Sequence, residues 1–212
     1  MTEIAEVAIL EPKELEVTPK QLAALILDTL EIDSSEKAKQ IEALTEGLDP
    51  ENDFDSEIIN SAKRMVGSID KTVALGRDAL AGKPIPIVER SAERSFIYLG
   101  DELGPEPSEH QKITEYTFDP NKSTDNAHLV DLLCRTLENS VRQDASPIFG
   151  YSQLLERTAE SDAVKDKYAT LASQSMSLSQ DTLAFERMRD ASFAGNQINV
   201  AARGSVQILS LS

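Results

Sequence analysis

Two stretches of the C-terminal third decide the fold: AHLVDLLCRTLENSVRQDASPIFGYSQLLER at residues 127–157 and SDAVKDKYATLASQSMSLSQDTLAFERM at residues 161–188. In the first, Val130, Leu133, Leu137, Val141, Ala145 and Ile148 recur in steps of three and four, and Leu154 and Leu155 extend the apolar surface. In the second, Val164, Tyr168, Leu171, Ser175, Leu178, Thr182 and Phe185 keep the same rhythm. That spacing is helical and resembles a coiled-coil stripe. The short polar link TAESD turns the second rod back on the first, so the pattern predicts an antiparallel helical hairpin. One hairpin alone leaves apolar flanks in water, and docking of two copies into a dimeric four-helix bundle is the expected closure. The expected fold class is therefore mainly α.

Upstream, residues 1–17 alternate acids with small apolar residues around Pro12, which predicts a disordered arm. Residues 18–81 read as an acidic helical region. Thr18 and Pro19 form a cap and first-turn pair before Leu22, Ile26 and Leu30, and a second short helix is expected from Ser34 or Ser35 to Gly47. From Glu51 to Ala81, Ile58, Ala62, Met65, Ile69, Val73 and Leu80 mark a long amphipathic helix. Gly67 and Gly76 each weaken it by about 1 kcal/mol relative to alanine. Residues 82–126 carry five prolines between short apolar runs such as IPIV and SFIYL, and read as a mixed linker or small extended segment. Within it GPEPSEHQKI is expected to be a loop and DPNKSTDN a linker into the hairpin unit, residues 127–212, which ends in short strand-like runs. No repeat of fixed period is evident.

The composition narrows the function. Of the 212 residues, 40% are hydrophobic and 5% aromatic, with no tryptophan, so the core is built from Leu, Ile, Val and Ala. The formal charge is -16, and residues 1–126 hold 27 acids against 13 bases. A field of that sign repels phosphate backbones and anionic lipid, which argues against nucleic-acid or membrane partners. The lone Cys134 excludes an internal disulfide. No secretory leader or spanning run is recognisable, so a cytoplasmic location is expected.

The run ENSVRQDASPIFGYSQLL, from Glu138 to Leu155, resembles the first hairpin helix of sensor histidine kinases, which typically reads SHELRTPLTAILGYAELL. Aligned without a gap on Gly150 and Tyr151, Arg142 falls on the family arginine, Ile148 on its isoleucine, and Gln153, Leu154 and Leu155 on its ELL. The run SLSQDTLAFERMRDASFAGNQINV is similar to the family's second helix through Leu178, Asp181, Leu183, Phe185 and Arg187. The likeness spans about 75 residues, Leu129 to Arg203.

The resemblance implies a dimerising phosphoacceptor hairpin, but Asn139 stands where the phosphoacceptor histidine belongs, Ser140 replaces its acidic neighbour and Asp144 the family proline. An amide nitrogen is delocalised and not nucleophilic, so histidine-type phosphorylation is excluded at this position. Too few residues follow Met188 for an ATP-binding domain. The two histidines, His110 and His128, lie outside the motif, and no metal-ligand, EF-hand, nucleophile-elbow or dinucleotide pattern occurs. No cofactor is expected, and catalysis is not expected. The resemblance leaves a role for Gln143 in orienting water for a partner's dephosphorylation, beside its plainer reading as a solvent-facing residue.

Two functions are therefore expected. One is a non-catalytic two-component-type signalling protein, a homodimer that binds a response-regulator receiver domain or a kinase. The resemblance then makes Arg142, Gln143, Asp144 and Ser146 the partner contacts around Asn139. The other is a structural helical protein assembling with itself or a larger complex. They differ in one observable: the face around Asn139 is open in the first and covered by the chain's own N-terminal helices in the second.

Overall fold

The computed structural model describes residues 9–91, 95–99, 111–203 and 206–211. The architecture is mainly helical, with two small antiparallel sheets. Helix α1, Pro19–Thr29, starts at Thr18, whose hydroxyl accepts from the Gln21 backbone while the Gln21 side chain accepts from the Thr18 backbone. This reciprocal capping satisfies two amides that a helix start leaves unpaired. A π-helical turn, Leu30–Ser34, carries α1 without a break into α2, Ser35–Leu44. The separate helix expected from Ser34 or Ser35 is thus the continuation of one rod.

Asn52 caps α3, Asp53–Leu80, by accepting from the Phe54 and Asp55 backbones. Gly82, with φ of 72°, turns the chain out of α3 into strand β2, Pro84–Ser91. The runs IPIV and SFIYL fall in β2 and in β3, Ser95–Leu99. Strand β4, Gln111–Thr117, follows, so the QKI of the expected loop is strand, while residues 104–110 lie outside the described residues. The hairpin itself is α4, Ser123–Thr158, and α5, Asp162–Phe193, and the chain ends in β5, Ile198–Arg203, and β6, Val206–Leu209.

All six positions of the first stripe are buried, and so are all of the second except Val164. Each such Leu or Ile contributes about 1.5–3 kcal/mol when removed from water. The seam that the sequence leads one to hide against a second copy is covered here by α1, α2 and α3 of the same chain. Leu22, Ile26, Leu27, Ile58, Met65 and Ile69 are fully buried in one core with Leu133, Leu137 and Ile148. The four rods of the bundle are thus α1–α2, α3, α4 and α5.

The expectation of a disordered arm over residues 1–17 is corrected for its second half: Ile9–Leu15 forms strand β1, paired antiparallel with β5, while residues 1–8 lie outside the described residues. The three-stranded order β1-β5-β6 puts β1 at an edge, where charged residues such as Lys13 and Glu14 are tolerated. Pro12 sits in the register shift between Leu10 and Lys13, an irregularity that needs no amide from it. The second sheet, β3-β2-β4, accounts for residues 84–91, 95–99 and 111–117 of the segment 82–126, and the end of the expected linker, residues 123–126, is instead the first turn of α4.

Candidate functional site

Helix α4 is enclosed on most sides, and the open part can be read residue by residue. Leu137, Ser140, Val141, Ala145 and Ile148 are buried. Arg142, Gln143, Ser146 and Gly150 are exposed, and Asn139 is half-buried. At 100° per residue, Asn139, Gln143, Ser146, Gly150 and Leu154 fall on one outward line. The sequence-derived contacts therefore divide: Arg142, Gln143 and Ser146 share the open face, and Asp144 does not. Asp144 turns toward α3, where the Arg64 guanidinium Nε donates to its Oδ1 at 2.8 Å. Its side chain is only 13% exposed, and burial pushes its carboxyl up while Arg64 pulls it the other way.

The Asn139 amide donates to the Arg135 carbonyl at 2.8 Å, and the Ser146 hydroxyl donates to the Arg142 carbonyl at 2.9 Å. Both are local bonds within the helix surface. The Gln143 side chain bonds to none of the described residues. Pro147 lies inside α4 and has no N–H, so the Gln143 carbonyl loses its regular helical donor. An unengaged amide side chain and a freed carbonyl thus meet at one exposed residue, a donor and acceptor pair ready for a partner.

On the α5 side, Arg142 reaches Glu138 at 3.4 Å. Glu186 of α5 stands against Glu138, and burial first and that second carboxylate next push Glu186 above the usual range. Toward the hairpin turn the helices part into a groove of about 450 Å³, lined by Phe149, Gln153, Ala169, Ala172, Met176 and Gln180. Its lining includes one charged side chain, Glu156, in a chain that is 27% charged. Leu154, elsewhere on the same turn of α4, is 45% exposed. The arrangement combines hydrogen-bonding groups with an open slot of mixed polar and apolar lining, which suits docking of a protein surface better than chemistry on a small molecule.

Asn139 itself offers an amide, which is not a nucleophile. Among the described residues no group of three or more His, Cys, Asp or Glu is placed to hold a metal ion, and no helix is long and apolar enough to cross a membrane. His128 is half-buried, its ring centroid 5.9 Å from Tyr116 and 5.7 Å from Phe118. His110 lies outside the described residues. Burial pushes the Cys134 thiol up to about 12, which removes it as a nucleophile.

Three side chains escaped the sequence reading. Arg64 lies 80 residues from Asp144, and no local pattern joins them. Phe149 and Met176 stand one step off the buried stripes, and that offset was a usable sign of a second, outward apolar face. Comparison with protein-family models, with curated proteins and with solved structures finds no match.

Proposed function

We propose that this chain is a non-catalytic interaction module that engages a receiver domain or a kinase of a two-component pathway, in the cytoplasm, through the outward face of α4 and the adjoining α4–α5 groove. The observation that carries the reading is that Arg142, Gln143, Ser146 and Gly150 of α4 are exposed beside a half-buried Asn139, so that polar groups without nucleophilic character face solvent there. The choice of partner rests on the register of ENSVRQDASPIFGYSQLL against sensor kinases, which places these residues beside the family's acceptor position. Asp144 is removed from the proposed contact set because Arg64 occupies it. The module then works as an adaptor or a decoy, holding a receiver without phosphorylating it.

The test is a titration of the full chain against purified receiver domains from the same cell, followed by calorimetry. The expected result is binding to at least one receiver, weakened about tenfold, or about 1.4 kcal/mol, by Gln143→Ala or Arg142→Ala. If no receiver binds, or if these substitutions leave the affinity unchanged, the reading fails. A second reading, a structural helical protein, is favoured by the Arg64–Asp144 bond, which brings the N-terminal helices against one side of the site. Under it, the full chain assembles with itself or with a larger complex and ignores receivers.

A further inference from the structure

The two sheets are built by one rule. Up to residue 99 the chain runs β1, the α1–α2 rod, α3, β2, β3; from residue 111 it runs β4, α4, α5, β5, β6. Each half is a strand, a helical hairpin and a strand pair. The sheet orders are β1-β5-β6 and β3-β2-β4, all antiparallel, so each half lends its leading strand to the strand pair of the other.

Side chains repeat the relation across long separations. Thr29 in α1 donates to the Leu25 carbonyl at 2.7 Å and accepts from the Leu209 amide of β6 at 2.9 Å. Thr136 in α4 donates to the Leu132 carbonyl at 2.7 Å and accepts from the Leu99 amide of β3 at 3.0 Å. Both threonines are buried and both open the triplet Thr-Leu-Glu, at 29–31 and 136–138. The second helix of each hairpin ends on Arg-Asp-Ala, at 77–79 and 189–191. Arg77 pairs back to Asp28 of its own hairpin, and Arg189 to Asp131 of its own. Each hairpin is then followed by a glycine of positive φ, Gly82 at 72° and Gly195 at 76°. Reciprocal contacts, in which an element of one half meets in the other half the counterpart of what meets its own counterpart, are the mark of a two-fold interface.

We propose that the chain is a single-chain pseudo-dimer: two β-α-α-β-β halves exchange their leading strands and each fills the surface that the other's hairpin would offer to a second molecule. The protein is then a monomer in solution, and the four-helix closure expected of two copies is made in cis. The halves have parted in chemistry. Each hairpin carries a groove toward its turn, but the α2–α3 groove has four charged side chains, Lys39, Glu42, Glu46 and Lys63, where the α4–α5 groove has one, Glu156. That divergence, together with the π-helical turn in one half only, hides any fixed period in the sequence. The inference does not depend on the proposed partner.

The test locks each exchanged strand in the full chain. Glu14 faces Asn199 across β1 and β5, and Glu115 faces Pro86 across β4 and β2. The paired variants Glu14→Cys/Asn199→Cys and Glu115→Cys/Pro86→Cys, oxidised at low concentration, are expected to give disulfides within one chain. Light scattering of the unmodified protein is expected to give the mass of one chain, which keeps the proposal testable if a variant misfolds. Thr29→Val and Thr136→Val are expected to lower the unfolding midpoint by similar amounts. Covalent dimers on a non-reducing gel, or a solution mass of two chains, overturn the proposal. A large loss from one threonine variant and none from the other overturns the equivalence of the halves.

Discussion

Single side chains in this core differ sharply in how much room surrounds them, and the glycines of α3 show it. A Cβ added at Gly76 would stand 2.5 Å from Leu27 Cδ2 and 3.2 Å from Leu133 Cδ2, whereas one added at Gly67 meets nothing within 4 Å. Leu27 and Leu133 are themselves fully buried and have nowhere to turn. Gly67→Ala should therefore stabilise the protein by about 1 kcal/mol through helix propensity alone. Gly76→Ala should destabilise it by about 1–3 kcal/mol, because overpacking outweighs that gain. Denaturant midpoints of the two variants moving in the same direction would contradict this packing. Cys134 gives a second check: the folded protein should resist a thiol reagent at neutral pH, and one thiol per chain should react once it unfolds.

The same helix-start device serves α3 and α4. Asp49 and Asp119, each followed by proline, accept from the amide two residues on, and their own amides donate to Asp55 and Asp125 at 3.1 Å. Asp55 also accepts from the Tyr168 hydroxyl at 2.8 Å, which ties the start of α3 to α5; burial first, and this bond next, push the phenol up. Asp55→Ala should cost about 1–3 kcal/mol, since a buried hydroxyl and an amide lose their acceptor together. A double-mutant cycle with Tyr168→Phe should show coupling, and additive losses would refute the shared bond. The long helices were legible in the sequence because their apolar period persists over many turns. Strands β1 and β4 were not: both are edge strands, and residues such as Lys13, Glu14, Lys112 and Glu115 face solvent where a buried strand would show alternation. Ser34 and Ser35 look like a helix start, yet Ser34 stays at φ -72° and ψ -37° and caps nothing, so the chain runs on through a π-helical turn. At the site, Gln143 and Ser146 were readable from their place on α4, while the fate of Asp144 depended on Arg64 in another rod.

For the molecule as a whole, three carboxyls respond to pH in the same sense. Burial pushes Asp144, Asp181 and Glu186 above their ordinary values, despite Arg64 beside the first and Lys37 at 2.6 Å from the second. The folded protein then holds protons that the unfolded chain has released, so stability falls as pH rises through these raised values. Acidification from neutral pH to just above the ordinary carboxylate range, about pH 5, should raise the thermal midpoint, helped by relief of repulsion in a chain of formal charge -16. Asp125, held low by the Asp119 amide and Lys122, acts in the opposite sense only below the ordinary carboxylate range. A midpoint that falls over this interval would show that the buried carboxyls are ionised and well paired. The placement of β1 against β5, with Ile9 opposite Arg203, also governs how the chain is made. On the ribosome β1 must wait, unpaired, until β5 has emerged. During that interval it is open to chaperones and proteases, and refolding should lag behind that of helical proteins whose contacts are all local.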